Sequence, residues 1–186
     1  MIGFALCGSF CTHAAALGCL EQLVNNGNQV LPILSETAAN TDTRFGSAAA
    51  LDAALTRICG HQPIKTIPDA EPLGPVKPME ALIIAPCTGN TLAKLAQGIT
   101  DTPVCMAAKA HLRCNRPLLI ALASNDALSA NLKNIATLLS RKQVYFVPMD
   151  QDDPEKKPHS LVADFSLLRP TLHAAFDGRQ FRKLFL

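Results

Sequence analysis

Tryptophan is absent from this chain of 186 residues, tyrosine occurs once, and aromatic residues make up only 5%. Its core is therefore expected to be aliphatic. A surplus of charge is missing too: 17 basic against 15 acidic residues leave +2, scattered rather than striped. That excludes a dedicated nucleic-acid binder, which would carry a basic face. No apolar stretch reaches the roughly 20 residues of a membrane span. The amino terminus, MIGFALCGSFCTHAAALGCL, is apolar but has no basic n-region, and Gly8-Ser9 and Thr12-His13 cut it short. The expectation is a soluble, cytoplasmic protein without a membrane partner. Also missing are CxxC pairs, zinc-type spacings, HExxH, GxSxG, the P-loop lysine motif and GxGxxG. No metal site is expected, and no nucleophile is identified with its base.

What is present is a chain that is 48% hydrophobic, enough for one domain (residues 1–186) with a substantial core. Seven cysteines stand at 7, 11, 19, 59, 87, 105 and 114. An odd number, mostly within apolar segments, points to buried free thiols in a reducing compartment.

Short continuous apolar runs suit strands covered on both faces. They occur at Ile2 to Leu6, Val30 to Leu34, Ala81 to Ala85, Leu118 to Ala123 and Val144 to Val147, with a shorter one around Ile64 to Ile67. Helical spacing marks Ala14 to Val24, Ser47 to Ile58, Thr91 to Gln97, Pro103 to Leu112, Asp126 to Leu139 and Phe165 to Phe176. Ser35 to Arg44 reads as a polar loop, 61–79 as a proline-rich connection, and Pro148 to His159 as a charged loop. Strands alternating with helices predict a three-layer α/β/α sandwich, Rossmann-like or flavodoxin-like, with a mostly parallel sheet of about six strands.

Open parallel sheets bind ligands outside the carboxyl ends of their strands, which turns the fold into a set of candidate loops. After the first strand, Gly8, Ser9 and Phe10 precede a helix amino terminus that offers free N–H groups to an anion. After the third long run, Pro86, Thr88, Gly89, Asn90 and Thr91 repeat that arrangement. Helix capping accounts for either loop equally well. Arg44 could grip a carboxylate with two N–H groups. His13 and Asp126 are the available proton acceptors in strand-end loops, and Ser124, Asn125 and Ala127 complete the segment after Leu118 to Ala123. The charged loop reads as a lid, a partner contact or a solvated surface.

Several strings taken in order carry a resemblance: GSFCTH, NTDTRFG, AEPLGP, IIAPCTGNTLAKLAQGITDTPVCMAAKAHLRCNRP, SNDAL and QDDPEKKPHSLVA. Together they span nearly the whole chain, and they resemble the dipicolinate synthase B-subunit family known from spore-forming bacteria. More broadly, the chain resembles the homo-oligomeric FMN-containing decarboxylases and flavin prenyltransferases. The resemblance implies a doubly wound fold and a part in forming dipicolinate from a hydroxylated tetrahydrodipicolinate. It also implies a partner A subunit that binds NADP, and assembly with further copies of this chain. FMN is implied on this chain, at Gly8, Ser9, Phe10, Pro86, Thr88, Gly89, Asn90, Thr91, Ser124, Asn125 and Ala127. Arg44 would hold the dicarboxylate substrate, and His13 or Asp126 would take a ring proton. The proline-methionine-asparagine string and the histidine motif of the decarboxylases are absent. A self-sufficient FMN enzyme and a noncatalytic stabilising subunit remain as alternatives.

Overall fold

The computed structural model describes residues 1–186. In chain order it contains β1 (Ile2–Leu6), α1 (His13–Asn25), β2 (Val30–Leu34), α2 (Glu36–Asn40), α3 (Ala48–Cys59), α4 (Ile67–Ala70), β3 (Ala81–Cys87), α5 (Gly89–Gln97), α6 (Pro103–Leu112), β4 (Leu118–Ser124), α7 (Leu132–Leu139), β5 (Val144–Phe146), β6 (Met149–Asp150), β7 (Leu161–Ala163) and α8 (Leu168–Phe176). Short 3-10 turns precede α1 and α8. The first five strands are parallel in the order β2-β1-β3-β4-β5. This doubly wound order reverses direction between β1 and β3, and a ligand crevice opens at such a switch point.

Alternate strand residues feed two apolar layers. Ala5, Ile33, Leu82, Ile84, Ile120 and Phe146 pack under α4, α5, α6 and α7. Phe4, Leu6, Leu34, Ile83, Leu119 and Tyr145 pack under α1, α3 and α8. All residues of β1, β3 and β4 are buried, as nearly continuous apolar runs covered on both faces require. Pro32 is tolerated because β2 lies at the sheet edge. Beside it Ile64 exchanges backbone hydrogen bonds with Pro32 and Leu34, at 2.9 and 2.8 Å. No helix is long and apolar enough to cross a membrane.

Four local expectations change. The Ser35 to Arg44 loop contains α2, because Ser35 Oγ accepts the Ala38 amide at 3.2 Å and caps it. The strand expected at Ile64 to Ile67 is a single bridge to Ile33, after which Thr66 caps α4. The helix expected from Asp126 starts only at Leu132. The Asp126 carbonyl instead takes the amides of Ser129 and Asn131, both at 3.1 Å, and winds that stretch into turns. Finally, the charged loop is flanked by β6 and β7, which pair antiparallel, and β7 also pairs with the end of β4. The thiols are all free, but only Cys7, Cys87 and Cys105 are buried. Cys19, Cys59 and Cys114 are half-buried, and Cys11 is exposed.

Candidate functional site

β1 and β3 end side by side, so their following loops flank the switch point. After β1 the chain turns at Gly8 and Ser9, whose amides donate to no acceptor in the protein. Phe10 and Cys11 begin the helical turn, where N–H groups have no acceptor one turn earlier. These amides form a small donor-rich rim. After β3, Thr88 caps α5: its Oγ1 accepts the Thr91 amide at 3.3 Å and donates to the Thr91 hydroxyl at 3.1 Å. Thr91 in turn donates to Cys7 Sγ at 3.3 Å. Burial pushes the Cys7 thiol up to about 12, so it serves here as an acceptor rather than a nucleophile.

The end of β4 supplies the floor. Ser124 Oγ donates to Asp126 Oδ1, and Asn131 Nδ2 donates to both Asp126 oxygens at 2.9 Å. Asn134 Nδ2 donates to Asn131 Oδ1 at 2.8 Å, and Asn131 and Asn134 are both buried. These donors, the Ser124 hydroxyl foremost, hold the Asp126 carboxyl below its usual range. Asp126 is thus a standing hydrogen-bond acceptor and a weak base.

The fourth wall is the β6–β7 hairpin. Because Leu161 pairs with Ser124, and Val162 with Ala123, the hairpin folds back over the β4 end. The Leu128 amide donates to the His159 carbonyl at 2.9 Å and ties the two segments further. Asp152, Lys157 and Ser160 thereby face the Gly8 and Thr88 loops across a cleft of about 600 Å³. That volume lies in the range of small-molecule and cofactor sites.

Gly8, Ser9, Phe10, Thr88, Gly89, Asn90, Ser124, Asn125 and Asp126, all expected from the sequence, line this one cleft. Pro86, Thr91 and Ala127 do not; Pro86 lies buried within β3, Thr91 faces Cys7, and Ala127 is fully buried. His13 borders an adjoining apolar pocket of about 250 Å³ between α1 and α3, which shares Phe10, Cys11 and Phe45 with the cleft. Its Nε2–H donates to the Cys7 carbonyl at 2.8 Å, and burial lowers its pKa, so the ring is a neutral prop under the first loop. Arg44 is exposed, with its guanidinium 4.8 Å above the Phe45 ring; Phe45, not Arg44, reaches the cleft. The sequence singles out none of Phe45, Asp152, Lys157 and Ser160 as site residues, although the first three lie in the strand-end loops 35–45 and 148–159 that it marks as candidates. The two polar residues of the charged loop that matter most, Asp152 and Lys157, enter only through an antiparallel return that short strands do not announce.

The family model described as Flavoprotein matches residues 1–165. The B subunit of dipicolinate synthase from Bacillus subtilis (strain 168) is 44% identical over 183 residues, 98% of this chain and 92% of that protein. The crystal structure of the dipicolinate synthase B subunit from Bacillus halodurans C superposes with a TM-score of 0.91 at 39% identity, covering 100% of this chain and 95% of the other. An FMN-dependent cysteine decarboxylase, SpaF, shares the fold at a TM-score of 0.66 and 23% identity, over 94% of this chain and 95% of its own. The chain belongs to the Flavoprotein family and, within it, to the family of dipicolinate synthase B subunits.

Proposed function

We propose that this chain acts as the B subunit of a dipicolinate synthase and holds FMN in the cleft at the β1/β3 switch point. The observation that carries this reading is the 44% identity over 98% of the chain, combined with a cleft built for such a ligand. The residues fit a flavin phosphate: uncommitted amides at Gly8 and Ser9, and the Ser9 hydroxyl, offer donors on one wall. Thr88, Asn90 and Asn125 offer polar groups on the others. A bound flavin would supply reversible hydride uptake.

The substrate in this reading is a hydroxylated tetrahydrodipicolinate. Loss of water gives a dihydropyridine dicarboxylate. Its oxidation then delivers one hydride to NADP on a partner A subunit and releases one proton. This chain's own contribution is to bind and orient. Asp126, fixed by Ser124 and Asn131, accepts an N–H or O–H of the ligand rather than abstracting a carbon-bound proton. Further copies of this chain assemble with it in this reading. Seven thiols without a disulfide fit a reducing cytoplasm.

The test is an absorbance and fluorescence titration of the purified chain with FMN, with and without the A subunit. Saturable binding with quenched emission is the expected result. An unchanged flavin spectrum in both states would refute the flavin part, and failure to co-purify with the A subunit would refute the partnership.

A further inference from the structure

Asp126, Asp152 and Lys157 are the charged side chains that line the cleft, so Lys157 is its one cation. A dicarboxylate or a phosphate entering beside two carboxylates needs a cation there, and Arg44, stacked over the Phe45 ring, does not line the cleft. Lys157 Nζ lies 2.5 Å from Asp152 Oδ2, and both side chains are partly open to solvent. An exposed pair of this kind contributes little to the fold. The backbone around it is nonetheless well held. The Lys157 amide donates to the Asp153 carbonyl at 2.7 Å, and the Ser160 amide to the Lys157 carbonyl at 3.0 Å. Gln151 Nε2 closes the turn on the Pro158 carbonyl at 2.9 Å. Lys157 is thus a solvent-reachable charge on a fixed stem, lining the same cleft as the free amides of Gly8 and Ser9.

We infer that Lys157 is the anion-recognising residue of the cleft and that Asp152 competes with the ligand's anionic group for it. This rests on the proposed function for the identity of the ligand. The anionic group is a carboxylate of the substrate or the phosphate of the flavin. In either case the ammonium exchanges one oxyanion partner for another, with no covalent step. Asp152 tunes the affinity by setting how much of the ammonium is already engaged, and it disfavours neutral ligands that cannot displace it.

The experiment is a calorimetric titration of the full chain with pyridine-2,6-dicarboxylate and, separately, with FMN, in the wild type and three variants. Lys157→Met should bind one of the two about tenfold more weakly, as loss of a charge-assisted hydrogen bond predicts. Lys157→Arg should restore most of that loss. Asp152→Asn should bind the same ligand about threefold more tightly, since a weak surface competitor has been removed. Thermal melting of all three should match the wild type, which separates recognition from folding. Which ligand responds tells carboxylate from phosphate recognition. Equal affinities in wild type and Lys157→Met for a ligand that does bind would overturn the inference alone. Failure of the wild type to bind either would overturn the reading of the cleft, and this inference with it.

Discussion

A β-carbon on Gly89 would stand 2.5 Å from Ser124 Oγ, 2.6 Å from Asn131 Nδ2 and 2.8 Å from Asp126 Oδ1. The glycine is needed there for space, not for an unusual backbone angle, because it lines the cleft and packs directly against the floor cluster. Gly89→Ala must push apart a hydrogen-bonded cluster that includes buried Asn131. A loss on the order of 1–3 kcal/mol is expected in a urea melt. At the neighbouring Asp126 the sign of the pH effect follows from its depressed pKa. The ionised form stabilises the fold above the ordinary carboxylate range, and that stabilisation is lost as pH falls through the lower folded value. Asp126→Asn should therefore melt lower than wild type at about pH 7, and the gap should narrow as pH falls below the ordinary carboxylate range. A gap that persists unchanged into acid would assign the loss to packing instead.

Within α6, His111 is fully buried and donates from Nε2 to the Pro117 carbonyl at 2.9 Å, while Nδ1 has no partner. Burial lowers its pKa, so the native state resists protonation. The wild type should lose stability as pH falls below about 6.5, the unfolded histidine value. In His111→Phe the lost bond, about 1 kcal/mol, is offset by relief of the unpartnered nitrogen, about 1–3 kcal/mol. The Pro117 carbonyl keeps the Leu82 amide at 3.0 Å. Melts should change little at about pH 7 and favour the variant at about pH 5. The longer elements were legible in the sequence: β1, β3 and β4 are nearly continuous apolar runs, and α3, α5 and α6 carry Ser47, Thr88 and Thr102 as caps. The two-residue β6 and three-residue β7 were not, since a strand that short exists only through its partner. The site shares that fate. Gly8, Thr88 and Ser124 follow long strands and could be read, whereas Asp152 and Lys157 arrive by pairing, and Arg44 differs from the cleft-lining Phe45 by one position.

Across the whole molecule, ligand binding and stability are linked, because a group that binds only the native state raises its melting temperature with the logarithm of its concentration. FMN at about 100 times its dissociation constant should stabilise the chain by about 2.7 kcal/mol, readable in a thermal shift series. A flat series would separate the fold from flavin binding. The manner of opening is also set by architecture. β5 pairs with Leu118–Ile120 and β7 with Ala123–Ser124, so one edge of β4 is occupied by two strands in succession. Base and cover of the cleft are rungs of one ladder, and a swinging flap hinged at the strand would have to break it. Only the tip between β6 and β7 is left to breathe. Amide exchange should therefore divide there, fast at Asp152, Asp153 and Glu155, whose amides have no acceptor, and slow at Lys157 and at Leu161–Ala163, with entry and release timed by those few turn residues while the floor keeps still.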